Sequence, residues 1–480
     1  MKQPIAPDTS HRYQEVAAYV AGLAERGTLA AGARAPSLRE VSRQQRVSLS
    51  TALQAYRLLE DRGVLQARPR SGYYVATPAG ARLERPAMSR RAARATDIAL
   101  SGLVVQLLAH ATDPSLVPLG CAVPSADLLA TAHLDRFLAR AIRTRGSEHN
   151  TYTEPRGDPR LREEIARRAM RWGQALAPQD IVVTSGCTEA VSLALAAVCK
   201  PGDIVAVESP TYFGLLHALE ALQLKALELP TDAATGIDLP AMEEALDAQP
   251  VRACLLASSF NNPLGFAMDE GKKREILALL ARRRIPLIED DIYGDLHFGP
   301  ARPRPFAALD RAGNTLYCSS FSKTVAPGWR LGWLVPGRHM QTVLDRKFAM
   351  TLCGASLPQS AFADFLSSGG YDNHLRRLRR AFADGLARMS EVVAQTFPAG
   401  TRISRPEGGF VLWVELPRRV KTRELLDAAL AQGICFAPGD VFAASRRYAH
   451  CMRLSCGQGW DNRIEQGLRT LGALVSARVG

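Results

Sequence analysis

The sequence predicts two folded parts: a small N-terminal module of three helices and a β-hairpin, then a large α/β body built on a mainly parallel sheet. Two patterns predict this division. Residues 12–75 hold three helical periods followed by two short strand runs around Pro-Arg-Ser-Gly. Beyond residue 116, short runs rich in Val, Ile, Leu and Cys alternate with helical stretches, as strands buried on both faces of a parallel sheet do. Charge divides the chain in the same way. Of the net +13, residues 1–97 supply +8, with 16 Lys and Arg against 8 Asp and Glu. A basic fifth attached to a nearly balanced body points to a module that meets a polyanion.

A chain of 480 residues is long enough for more than one core and needs no covalent staples. Its nine cysteines contain no Cys-x-x-Cys pair, which fits a reduced, cytoplasmic protein without structural zinc or other metal. "MKQPIAPDTSHRYQEV" has no apolar segment of the signal-peptide type, and no run approaches the roughly 18 apolar residues of a membrane span. No export signal and no membrane partner are expected.

Within the module, residues 12–26 put Val16, Ala17, Val20 and Leu23 on one helical face before Gly27. "APSLREVSRQQ" supplies Ser37 as N-cap and Glu40 three positions on, which is a capping box. A third helix runs from Ser48 towards Gly63. It turns Ala52, Leu53, Tyr56 and Leu59 inward and leaves Ser50, Thr51, Gln54 and Arg57 free to face outward. "VLQARPRSGYYVA" then reads as the hairpin, with Arg68 and Arg70 near its tip. Helix, helix, helix and basic hairpin is the order of a winged helix-turn-helix, an α+β unit whose third helix enters the major groove of double-stranded DNA.

Residues 10–77 resemble the GntR-type winged helix, carried by "LAAGARAPSLREVSRQQRVSLSTALQAYRLLEDRGVLQARPRSGYYV". The resemblance implies DNA contacts from Arg39, Ser48, Ser50, Thr51 and the wing residues Arg70, Ser71 and Gly72. Leu49 stands where many members of that family carry an arginine. The expected domains are a DNA-binding unit over 1–77, a basic linker over 78–115 with its arginines and prolines, and the large body over 116–480.

In the body, the residues that follow each strand are the informative ones, because ligands of parallel sheets bind at the carboxyl ends of the strands. "DIVVTS" leads into Gly186, Cys187 and Thr188 at a helix start, where free amides suit an anion. "DIVAVES" leads to Tyr212, "ACLLASSF" to Asn262, "IPLIE" to Asp290 and Tyr293, and "NTLYCSSF" to Lys323. Asn262, Asp290 and Lys323 are about one strand-plus-helix unit apart. Neighbouring strands would therefore bring an amide, a carboxylate and an amine to one sheet edge. An aromatic, an anion cradle, an acid, phenol-binding groups and a lysine together suit pyridoxal 5'-phosphate. Its aldehyde condenses with a lysine amine, and its ring nitrogen is kept protonated by a carboxylate. Ser320, Ser322 and Arg330 would join the 186–188 amides on the phosphate, while Asn262 and Tyr293 bond the ring oxygen.

"YTEPRGDPRLREEIA", "TSGCTEA", "ESPTYFG", "NNPLG", "EDDIYGDL", "SFSKTVAPGWRLGW" and "MRLSCG" resemble, in order and spacing, the fold-type I aminotransferases. That resemblance implies Lys323 as the Schiff-base lysine, Asp290 as the ring-nitrogen partner and Tyr212 as the stacking aromatic. It also implies a homodimer in which Tyr152 reaches the neighbouring subunit's phosphate, and Arg453 as the group that holds a substrate carboxylate. The corresponding fold is an α/β domain with a mainly parallel sheet and a smaller α+β subdomain from roughly residue 355. A GntR-type winged helix joined to such a domain is the architecture of the MocR transcriptional regulators. The function implied is a DNA-binding regulator that senses pyridoxal phosphate, an amino acid or an amine. The intact Lys323, Asp290 and Arg453 leave a second reading open, an aminotransferase with an accessory N-terminal domain.

Overall fold

A computed structural model describes residues 12–25, 28–29, 33–61, 64–68, 72–75, 83–89, 92, 94–99, 101–111, 113–445 and 447–479. The chain divides into two compact units, 1–82 and 83–480.

In the first unit, α1 (Arg12–Glu25), α2 (Leu38–Gln44) and α3 (Leu49–Asp61) precede an antiparallel hairpin of β1 (Leu65–Arg68) and β2 (Gly72–Val75). Val16, Ala17 and Val20 meet Val41, Ala55, Tyr56 and Leu59 in its core; of the expected inward residues Leu23 and Leu53 are only half-buried, and Ala55 takes an inward place instead. The Tyr56 hydroxyl donates to the Pro36 carbonyl at 2.7 Å, and its ring meets Tyr73 edge-on at 5.0 Å, so one side chain ties the helices to the hairpin. The capping box is present: Ser37 accepts from the Glu40 amide at 3.2 Å, and Glu40 accepts from the Ser37 amide at 3.4 Å. The expected helix stops at Gly27 and Gly63 lie outside the described residues.

The second unit is organised by an eight-stranded sheet in the order 182–185, 331–335, 315–320, 287–290, 251–256, 204–209, 225–232 and 236–237. Strands 331–335 and 236–237 run antiparallel to their neighbours, and the remaining pairings are parallel. All five strands expected from the sequence are present. Strand Leu331–Val335 follows a short turn at Pro327–Trp329 and Arg330, which is left-handed at φ 52°. Residues 402–403, 411–415, 451–455 and 437–438 form a separate antiparallel sheet beside the long helix Gly370–Thr396, which gives the smaller α+β subdomain.

The segment expected to be a linker is bound to this unit over much of its length. The Ala87 amide donates to Glu415 at 2.9 Å, Ser89 Oγ to the Ser209 carbonyl at 2.8 Å, and Thr96 forms a two-way bridge with Ala226. Helix Ser101–Ala111 follows. Arginine and proline content suggested a linker, and backbone hydrogen bonds to existing edges need no apolar period and leave no such signal. Among the described residues no helix is long and apolar enough to cross a membrane.

A buried ionic cluster fixes the end of strand Leu287–Asp290. Arg302 bonds Asp291 and, at 3.0 Å, Asp295, which also accepts from Tyr371 Oη at 3.0 Å and pairs with Arg168 at 3.4 Å. Burial alone would raise the Asp295 carboxyl, but Arg302 and Arg168 outweigh it and hold the group down at about 2. A depressed carboxyl contributes stability above its unfolded value, and that contribution is lost as pH falls through the folded one. Asp295→Asn should therefore destabilise the body by roughly 3 kcal/mol at neutral pH. The deficit, measured by denaturant unfolding, should shrink as pH drops from about 4 towards 2.

Candidate functional site

Because strands 251–256, 287–290 and 315–320 are adjacent and parallel, the residues following them emerge side by side. Asn262, Asp290, Tyr293, Ser322 and Lys323 line one cavity there, with Cys187, Thr188, Tyr212, Arg330 and Arg453. Ser320 is not in its wall. It is buried in its strand, where its hydroxyl accepts from the Ser322 amide at 3.3 Å. Tyr152 is 84 % exposed and also lies away from the cavity. Arg453 sits within strand Cys451–Ser455, between Met452 and Leu454, opposite Trp413.

Lys323 is held by a hydrogen bond from Nζ to the Ala122 carbonyl at 2.7 Å. Burial, reinforced by the Arg453 and Arg330 charges, lowers its ammonium to about 8. About a tenth of the amine is thus unprotonated, and nucleophilic, at pH 7, far more than for a solvated lysine. Asp290 is buried, and burial raises its carboxyl to about 6 against the opposing effect of its hydrogen-bond donors and Lys323. Those donors are the Cys187 thiol and the Ile292 amide, each at 3.3 Å. Burial keeps that thiol protonated. The sequence offered two adjacent carboxylates, and the structure separates their duties. Asp290 faces the cavity while Asp291 is consumed by Arg302 and Tyr317.

The amides expected to hold an anion stand at the start of helix Gly186–Val198. Arg330 donates to the Ser185 carbonyl at 2.8 Å and covers Gly186, where a Cβ would stand 2.5 Å from its Nη2. Only glycine fits beneath that guanidinium. Tyr212 packs on Phe213 at 4.7 Å and crosses Gly214 so closely that a Cβ there would lie 2.4 Å from Cε1.

Arg453 is 2 % exposed. It donates to Asn262 Oδ1 at 3.3 Å and to the Gly120 carbonyl, while Nε is buried without a partner. Among the described residues no carboxylate pairs with it. Its other neighbours are aromatic, with the Phe442 ring 5.2 Å from Cζ, so the buried cation has a geometry that suits an anion.

Several participants carried no sequence signal. Gly120 and Ala122, which bond Arg453 and Lys323, come from a short irregular stretch. Glu208 accepts from the Ala257 amide at 3.1 Å and Asn261 Nδ2 at 2.9 Å, fixing the loop that carries Asn262. A strand-end glutamate with no periodic role could have flagged it.

In the first unit, Arg39, Ser48, Ser50 and Arg57 are exposed and Thr51 is half-buried. Ser48 Oγ lies 2.7 Å from Ser50 Oγ and 2.8 Å from Thr51 Oγ1, and it accepts from the Thr51 amide at 3.1 Å, so it caps α3. Gly72 faces Arg68 across the hairpin, whereas Arg70 and Ser71 lie outside the described residues.

Comparison with known proteins agrees with both halves. Residues 12–75 match the gntR family of bacterial regulatory proteins, and residues 126–471 match the class I and II aminotransferases. The chain is 39 % identical to the uncharacterized HTH-type transcriptional regulator YdcR of Escherichia coli, over 98 % of this chain and all of that one. It is 38 % identical to YjiR of the same organism, over 97 % and 98 %. The chain belongs to the MocR family. Its MocR body is similar to solved aminotransferases. One is the Thermus thermophilus α-aminoadipate aminotransferase LysN, complexed with N-(5'-phosphopyridoxyl)-L-leucine, at 27 % identity and TM-score 0.73. Another is the Pyrococcus horikoshii kynurenine aminotransferase, at 26 % identity and TM-score 0.74. Each alignment covers 79 % of this chain and 95 % of the relative.

The close passage of Tyr212 over Gly214 yields a test. Gly214→Ala should displace the Tyr212 ring and weaken binding of pyridoxal phosphate by about tenfold, measured by fluorescence titration, without unfolding the body.

Proposed function

We propose that this MocR chain is a dimeric, cytoplasmic DNA-binding regulator whose body binds pyridoxal phosphate and responds to an amino acid or amine. The observation that carries the reading is a pair: a lysine amine lowered to about 8, and a fully buried arginine without a carboxylate, in the same cavity. The residues suit the cofactor. Lys323 supplies the amine, Asp290 the acid for the ring nitrogen and Tyr212 the stacking face. Asn262 and Tyr293 suit the ring oxygen. The amides of 186–188, Thr188, Ser322 and Arg330 suit the phosphate, and Arg453 suits an effector carboxylate in a forked pair. When bound, the cofactor supplies an aldehyde that captures primary amines and a ring that withdraws electrons.

Asp290, Lys323 and Arg453 each hold protons suited to this task near neutral pH. Asp290, at about 6, is mostly a carboxylate that can hold a protonated ring nitrogen. Lys323 can give up or accept a proton at Nζ. The exposure of Tyr152 supports its pairing with a second subunit, since a large aromatic in water gains by burial. In the first unit, the exposed hydroxyls at the start of α3 and the basic charge support phosphate contacts on a duplex operator. The same intact Lys323, Asp290 and Arg453 favour a second activity, slow transamination, which amino-group transfer assays on the purified protein would detect.

Reconstitution with pyridoxal phosphate followed by borohydride reduction tests the reading. The expected result is one cofactor per chain attached to Lys323, found by peptide mass mapping, and none in Lys323→Ala. Attachment to a different lysine, or equal labelling of the variant, contradicts it. Capture should also grow with pH through about 8 and level off above, because only the neutral amine reacts.

A further inference from the structure

Among the described residues of α3, Leu49 alone is both apolar and exposed. It is the first residue of that helix and is 51 % exposed. The apolar residues that follow are turned away from solvent: Ala52, Ala55, Tyr56 and Leu59 are buried, and Leu53 and Leu58 are half-buried. Packing within the unit therefore accounts for those six and leaves Leu49 without an apolar partner of its own.

The side chains around Leu49 are short and are turned on one another. Ser48 Oγ lies 2.7 Å from Ser50 Oγ and 2.8 Å from Thr51 Oγ1, and it accepts from the Thr51 amide at 3.1 Å. Leu49 is thus the long side chain that projects from the first turn of α3, between two exposed serines. In a helix-turn-helix, the N-terminal residues of the recognition helix are the ones that meet base edges in the major groove. An alkyl side chain brings no donor or acceptor to those edges. Against the polar edge of guanine, cytosine or adenine it would take hydrogen-bonding groups out of water and return nothing. Thymine is the base that offers an apolar partner there, the methyl group on C5.

On the reading of this unit as a winged helix that binds duplex DNA, we propose that Leu49 is a specificity residue that packs on the methyl group of a thymine, one in each half-site of the operator. The hydroxyls and arginines near it hold the DNA backbone without regard to sequence, and the Leu49 contact selects thymine at the position it covers.

Removing that methyl group, and nothing else, tests the proposal. A duplex is selected from a random pool by the full-length protein loaded with pyridoxal phosphate. It is then remade with each thymine replaced in turn by uracil, at equivalent positions of both half-sites, and affinity is measured by fluorescence anisotropy at one salt concentration. Burying one methyl group is worth about fourfold in affinity, so loss of the contacted thymine should weaken the wild type about fourfold per half-site. Leu49→Ala should bind the thymine and uracil duplexes within about twofold of each other. Leu49→Gln, polar and of similar length, should be equally indifferent, and it takes the place of the alanine variant should that one misfold or bind too weakly to titrate. The proposal is overturned if no replacement weakens the wild type by more than about twofold, or if the variants remain sensitive beyond about twofold at the same thymine. A wild type that selects no duplex defeats the DNA-binding reading itself, whereas a selected duplex without a methyl-sensitive thymine defeats only the role of Leu49.

Discussion

Adjacent parallel strands must all leave the sheet at the same edge, and the functional chemistry of this chain depends on that constraint. Strand 287–290 ends in Asp290, and strands 251–256 and 315–320 lead into loops that carry Asn262 and Lys323, so three polar groups line one cavity. Their separation in sequence is about one strand-plus-connection unit, so distance along the chain becomes proximity in space. The antiparallel strand 331–335 completes the site from the other direction, since the left-handed turn at Arg330 brings its guanidinium back over Gly186. The ionic cluster of Asp291, Asp295, Arg302 and Arg168 braces the strand end that carries Asp290.

Burial then tunes the chemistry. It lowers Lys323 to about 8, raises Asp290 to about 6 and leaves Arg453 charged among neutral acceptors. In a folded chain these are costs, because each group would be better solvated in water. They become an advantage only when an anion and an electron-poor ring arrive to answer them, which is why such groups cluster at binding sites. The buried Cys187 thiol contributes here as a neutral donor to Asp290.

Much of this was legible in the sequence because both architectures have strong local signatures. The capping box at Ser37 and Glu40 fixes the start of α2, and apolar strand runs followed by polar residues mark the sheet edge. What escaped has physical reasons. Strand 331–335 directly follows a short turn and a positive-φ arginine, so it has no separate start signal of its own. Residues 83–98 bind through main-chain groups and leave no hydrophobic period. Gly120 and Ala122 act through carbonyls, which every residue has, so no side chain announces them. Ser320 shared the composition of the phosphate motif, but it ends a strand buried at every position, and its hydroxyl accepts from the Ser322 amide.

The two halves of the chain gain regulatory meaning only if the body's ligands change the grip on DNA. A basic module with few phosphate contacts binds weakly and salt-dependently by itself, while two modules joined through a dimeric body act at high effective concentration. A ligand shifts such an equilibrium only as far as it prefers one arrangement. The most direct measurement is the affinity of the full-length protein for a duplex selected from a random pool, with and without pyridoxal phosphate, at one fixed salt concentration. Lys323→Ala is measured alongside. The account predicts a several-fold change with the cofactor for the wild type and a much smaller one for the variant. Identical affinities in all four conditions would contradict it.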